Sequence, residues 1–187
     1  DKAEQLGILR PRSKDKKYPD LGEGVVEIWL DPDNRNITIE DNATGIKAED
    51  FRRILMNIAD SDKVMGRDKG FRGIGRLCGL AYCKHLIFTS RSPNEDVVSI
   101  MTCDAKKMRD MLIEANTKIK KYSASEVLES MTTFSNRKVS ESDKDHFFRV
   151  DLKGINEENE ELFGGKDHDN EKNLSNYLSF VAPVPYA

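Results

Sequence analysis

The chain has 187 residues, enough for one domain with a sizeable buried core. Charged residues make up 34% and hydrophobic ones 37%, and a formal net charge of −3 argues against a general charge-driven nucleic-acid binder while leaving room for a local basic face. No apolar run reaches membrane-spanning length and nothing at the start reads as a signal peptide. Cys78, Cys83 and Cys103 lack metal-ligand spacing, so a cytoplasmic location with reduced thiols is expected.

Asp1 to Leu6 are mostly good helix formers followed by Gly7, and read as the last turns of a helix that begins earlier. Residues 10 to 24 read as an exposed loop. Val25 to Leu30 predict a strand, Asp31-Pro32-Asp33-Asn34 a turn, and Asn36 to Glu40 a second strand, together a hairpin. This second strand runs into Asp41-Asn42-Ala43-Thr44-Gly45-Ile46, which places a carboxylate beside a small, flexible turn. Ala48-Glu49-Asp50 opens a helix with Phe51, Ile54, Leu55 and Ile58 at core spacing. Residues 59 to 69 are charged and aperiodic. They read as a mobile segment of the kind a lid uses, or as a surface loop with no role.

Gly70-Phe71-Arg72-Gly73-Ile74-Gly75-Arg76 follows and leads into an apolar helical pattern at Leu77, Leu80 and Ala81. Three glycines free the backbone, and the helix start offers unpaired N–H groups suited to an anion such as phosphate. Without a Gly-Lys-Ser/Thr this is not a P-loop, and without a strand leading into it this is not a dinucleotide fingerprint. Alone, it reads equally as a tight loop with solvated basic residues. Cys78 and Cys83, next along the chain, are expected to be buried small hydrophobes.

Strands are predicted at His85 to Arg91 and Val97 to Thr102, joined by a turn at Ser92 to Glu95. Asp104 can cap a helix carrying Met108, Met111, Leu112 and Ala115. Ser123 and Glu126 have capping-box spacing for a helix through Met131. Phe147 to Leu152 are the last strand. An acidic stretch over 156 to 172 and a helix at Leu174, Tyr177, Leu178 and Val181, halted by Pro183 and Pro185, complete the chain. His85, His146 and His168 form no evident set.

In this order the two turns, separated by a lid-sized interval, resemble the motifs of the GHKL ATPase superfamily, which includes gyrase B, the ninety-kilodalton heat-shock chaperones, histidine kinases and MutL. The resemblance spans most of the chain. Arg72-Gly73-Ile74-Gly75-Arg76-Leu77 and Val181-Ala182-Pro183-Val184-Pro185 look most like bacterial stand-alone proteins of the heat-shock chaperone, MutL and MORC branch. The resemblance implies a two-layer α+β (α/β) sandwich, the Bergerat fold, with a mixed, mostly antiparallel sheet and helices on one face. Residues 1–173 would form the ATP-binding domain and 174–187 the start of a connection to a downstream domain.

By the same resemblance, Asp41 accepts a hydrogen bond from the adenine amine, where a carboxylate selects adenine over guanine because it cannot donate. Capping its own turn is the alternative role for Asp41. Asn42, Ala43 and Gly45 match the turn beneath the base, and Ile46 an apolar wall. Gly70, Phe71, Arg72, Gly73, Ile74, Gly75 and Arg76 match the phosphate loop, with Arg72 and Arg76 alternatively plain surface charges or partners of acidic residues. Ser61 and Lys63 fall where lids supply polar contacts.

Three departures accompany these matches. Ala43 stands where the family commonly has glycine. The family's late threonine, which gives a water-mediated contact with adenine, is absent from Asp145-His146-Phe147-Phe148. The helix that carries the general base and the Mg²⁺ ligand falls before Asp1, and Asp1-Lys2-Ala3 match only its end. The expected ligands are ATP and Mg²⁺, and the expected behaviour is slow hydrolysis coupled to a chaperone-like conformational switch and to an ATP-dependent homodimer. The client, protein or nucleic acid, is not readable. A non-enzymatic interaction domain that keeps the fold is the alternative, and a histidine kinase core would need a phosphoacceptor domain upstream.

Overall fold

The computed structural model describes residues 24–57, 74–118 and 121–158. The readings for 1–23, for the lid interval, for 159–187 and for Ile58, Ser61, Lys63, Gly70, Phe71, Arg72 and Gly73 lie outside the described residues. The elements are β1 (Val26–Asp31), β2 (Asn36–Asp41), α1 (Ala48–Met56), a 3₁₀ helix (Ile74–Ala81), β3 (His85–Arg91), β4 (Val97–Asp104), α2 (Ala105–Lys118), α3 (Ala124–Met131), β5 (Thr132–Lys138) and β6 (Phe147–Lys153).

The six strands form one sheet in the order β1-β2-β6-β3-β4-β5, and every pairing among the described residues is antiparallel. Side chains alternate across a strand, so register decides which residues share a face. One row runs Ile28, Ile39, Val150, Phe88, Met101 and Phe134 across all six strands. The next runs Leu30, Ile37, Leu152, Leu86, Cys103 and Thr132. Both rows join the hydrophobic core with Phe51 and Leu55 of α1, Leu80 of the 3₁₀ helix, and Leu128 and Met131 of α3. The ring of Phe51 meets Phe134 edge-on at 6.3 Å. Each such buried side chain contributes about 1.5–3 kcal/mol. The helices therefore cover one face, as the resemblance implies.

The opposite face carries Glu27, Glu40 and Arg149 in one row and Trp29, Thr38 and Asp151 in another. Glu40 is 2% exposed there. Lys144 Nζ lies 2.7 Å from its Oε1 and also pairs with Glu27, while Arg149 Nε donates to Glu40 Oε2 at 2.7 Å.

Helix ends follow local chemistry. Ser123 and Glu126 form the expected capping box, and Asp104 Oδ1 accepts the N–H groups of Lys106 and Lys107. Those donors, Lys107 first, hold the Asp104 carboxyl below its usual range.

The structure departs from the sequence reading at several points. The helix after the glycines is 3₁₀ and begins at Ile74 rather than Leu77, so Ile74, Gly75 and Arg76 form its first turn. A Cβ on Gly79 would lie 3.0 Å from Leu86, so this glycine lets the 3₁₀ helix close on β3. Ala81 is exposed there, outside the buried stripe. Cys78 is also exposed rather than buried. Leu112, one of the apolar residues on the helix that Asp104 caps, is 50% exposed, because α2 turns that flank outward. β5 has no counterpart in the reading of the sequence. Its Thr-Thr-Phe-Ser-Asn-Arg-Lys offers one apolar side chain, as suits an edge strand with a solvated flank.

Candidate functional site

The third inner-face row, at the end of the sheet where β2 stops, differs from the other two. It runs Val26, Asp41, Phe148, Ser90, Ser99 and Asn136. Asp41 follows Ile37 and Ile39 on the same face, so strand alternation aims its carboxylate toward the helical layer. Its Oδ1 accepts the Ala43 N–H at 2.9 Å, which is the turn-capping role. Its Oδ2 accepts no hydrogen bond among the described residues. Burial pushes the carboxyl up, the Ala43 N–H pulls it down, and the charge of Glu40 pushes it further up. Asp41 thus caps its own turn with one oxygen and leaves the other without a donor among the described residues.

The turn after Asp41 is fastened to the ends of β3 and β6. His146 Nδ1–H donates to the Ala43 carbonyl at 2.8 Å, and Ser92 Oγ donates to the Thr44 carbonyl. The Ile46 N–H donates to Ser90 Oγ at 2.7 Å, and that hydroxyl donates to the Phe147 carbonyl. Glu95 Oε1 accepts the Ala48 N–H at 3.0 Å while its Oε2 accepts that of Ser92. Lys47, the residue before α1, makes no side-chain cap, so Glu95 supplies one from the β3–β4 turn.

Gly45 is the hinge of this arrangement. Its φ is +60°, and a Cβ built there would sit 1.9 Å from the Arg91 carbonyl oxygen and 3.1 Å from that of Phe147. Only glycine fits. Ala43 is not in the positive-φ region, so it stands in for glycine without strain. Asn42 faces away from the turn. Its Oδ1 accepts the Val25 N–H at 2.8 Å and its own N–H bonds the Val25 carbonyl, extending the hairpin by a rung. Ile46 is partly buried against the core.

Of the second motif, the described part is Ile74, Gly75 and Arg76. Arg76 Nη2 donates to the carbonyl of Asn57, the residue after α1. Its Nε is buried with no hydrogen-bond partner among the described residues, and burial lowers the pKa of the guanidinium. A buried cationic N–H without an acceptor fits an anion. α1 has the Asp41 turn at one end and Arg76 at the other, separated by its own length of about 14 Å.

Ser90, Ser92, Glu95 and His146 were missed as site residues. The sequence marks 92–95 only as a turn, and their partners lie tens of residues away. The nearest signal is His146, inside the interval where the family's late threonine would fall. Two surface clefts, one lined by Arg35, Lys84 and Asn156 and one by Lys84, His85, Lys106 and Arg109, lie at the other end of the sheet and do not include the turn. Cys83 and Cys103 are buried with thiols pushed up to about 11 and about 12, chiefly by burial, which leaves them unreactive. No group of three metal-ligating side chains occurs among the described residues, and no helix there is long and apolar enough to cross a membrane.

An antiparallel sheet covered on one face by helices, with a carboxylate at a strand end over a glycine-dependent turn, is the GHKL ATP-binding fold. The family model described as histidine kinase-, DNA gyrase B-, and HSP90-like ATPase matches residues 22–140, more than half of the chain. The chain belongs to this family, whose domains are ATP-binding and of ATPase type, typically with Mg²⁺. A search of the curated proteins found no match to the chain.

Proposed function

We propose that the Asp41 turn binds the adenine of ATP, the free carboxylate oxygen accepting the exocyclic amine, with Ala43 and Gly45 beneath the base and Ile46 at its side. The unspent oxygen of Asp41, in a turn held by hydrogen bonds from β3 and β6, is the observation that carries this reading. The phosphates are assigned to Gly70, Phe71, Arg72, Gly73, Ile74 and Gly75 and to Arg76, whose buried Nε is supporting evidence. Ser61 and Lys63 would add contacts from the segment between the motifs.

In this reading the domain, a relative of the heat-shock chaperone, MutL and MORC branch, hydrolyses ATP slowly. Nucleotide occupancy then acts as a conformational switch coupled to homodimerisation and to a segment beyond residue 173. Calorimetric titration of Mg²⁺-ATP into the full-length protein, with GTP as control, tests the pocket. ATP binding without GTP binding is expected; equal affinities would overturn the role of Asp41.

A non-enzymatic interaction domain that keeps the fold without turnover is a second reading, favoured by one observation: Phe148, with no hydroxyl, stands beside Asp41. Phosphate release that Asp41→Asn abolishes would exclude it.

A further inference from the structure

We infer that Phe148 is a base-binding residue of the Asp41 pocket, forming an aromatic wall against the purine. The inference rests on the Asp41 reading and adds to it how the base is held. Phe148 is the cross-strand neighbour of Asp41 on β2 and of Ser90 on β3, and all three side chains share the inner face. Directly opposite residues on one face have Cβ atoms about 4.5–5.5 Å apart, so ring and carboxylate border the same space.

The Phe148 ring packs on Phe88 with centroids 6.1 Å apart and planes tilted by 35°. It is only partly buried against the core, so the core does not enclose the whole residue. The hydroxyl on its other side is not available to a ligand. Ser90 Oγ is occupied by the Ile46 N–H and the Phe147 carbonyl. Around Phe148, the row therefore offers a base one unspent polar acceptor, on Asp41, and one aromatic surface.

Two consequences follow for recognition. The base is read by a single charge-assisted hydrogen bond beside an apolar ring, rather than through a hydroxyl and a bridging water. The ring contact depends on the base and not on the phosphates, because base–aromatic contact draws on the π-face that every purine has.

The test compares Mg²⁺-ATP with Mg²⁺-tripolyphosphate, which has no base, by calorimetry on the full-length protein and on Phe148→Leu. ATP affinity is expected to fall about tenfold in the variant, with tripolyphosphate affinity unchanged. Phe148→Tyr, which keeps the ring, is expected to bind ATP within twofold of the parent. ATP affinity unaltered in Phe148→Leu overturns the inference, as does a parallel loss of both ligands, the signature of a merely structural role. If Phe148→Leu does not fold, the unsubstituted protein decides. An NOE between adenine H2 or H8 and Phe148 ring protons, assigned through Phe148→Tyr, is expected in the saturated complex, and its absence overturns the wall. A parent that binds tripolyphosphate but shows no preference for ATP over it overturns the Asp41 pocket itself, and Phe148's part with it.

Discussion

Glu40 and Asp41 are consecutive carboxylates at the end of one strand, and the pleat sends them to opposite faces with opposite treatment. Glu40 lies on the charged face, almost fully buried, with Lys144 on one oxygen and Arg149 on the other. Asp41 lies on the apolar face with one backbone N–H and no cation, and burial pushes its carboxyl up. A carboxylate that serves the fold is neutralised by the fold. One left short of partners carries a cost in stability, which is the pattern expected of the ligand-binding role proposed for Asp41.

The largest way to break this contrast is to dislodge the turn. Gly45→Ala forces a Cβ onto the Arg91 carbonyl in a left-handed backbone, and a loss of about 3 kcal/mol or more is expected in urea unfolding, together with ATP binding.

Asp41→Asn is the next largest and should weaken binding without weakening the fold. ATP affinity is expected to fall at least ~100-fold by calorimetry, because the amide presents a donor to the adenine amine. Stability should move the other way. A carboxyl whose folded pKa is raised contributes its full stability below the unfolded pKa and loses it as pH rises through the folded value. The parent therefore carries a cost at pH 7 that the amide removes. The variant's melting temperature should equal or exceed the parent's at pH 7, with the gain shrinking toward pH ~4.

Glu40→Gln is the smallest of the three and completes the contrast. Lys144 and Arg149 are partly exposed, with side chains 48% and 37% accessible, so water can take over part of their pairing. A loss of about 2 kcal/mol is expected in urea unfolding, with ATP affinity of the folded protein within twofold of the parent. If Glu40→Gln abolished binding and Asp41→Asn did not, the two roles would be reversed.

Much of the fold was legible because its signals are local. Alternating Asn36 to Glu40 and the β-branched, apolar runs at 25–30, 85–91 and 97–102 marked strands, and Ser123 with Glu126 marked a helix start that the structure forms as a capping box. β5 was not legible, since its single apolar Phe134 makes no pattern. The carboxylate and its turn were legible through the sequence order Asp41 to Gly45. Their support was not. Glu95 caps a helix 47 positions earlier in the chain, and His146 reaches a carbonyl 103 positions away. Nor was the identity of Asp41's neighbour, because register across β2 and β6 follows from the whole sheet. Leu112 and Cys78 show the same limit from the other side. Apolar spacing alone does not say which flank of a helix meets the core.

The position of β6 has a consequence for how the molecule is made. It is the last described strand in the chain, yet it lies between β2 and β3 and pairs with both. Until it is in place, the described strands form two separate pieces, a β1–β2 hairpin and a β3–β4–β5 meander, each with an open inner edge. The pairing of Asp41 with Phe148 joins residues separated by most of the domain, so loop-closure entropy opposes it until late in folding. During synthesis the ribosome must release β6 before the two pieces can join. A nascent chain caught before that moment offers two unpaired edges to any neighbour, which makes the interval its window for misassembly and for chaperone capture.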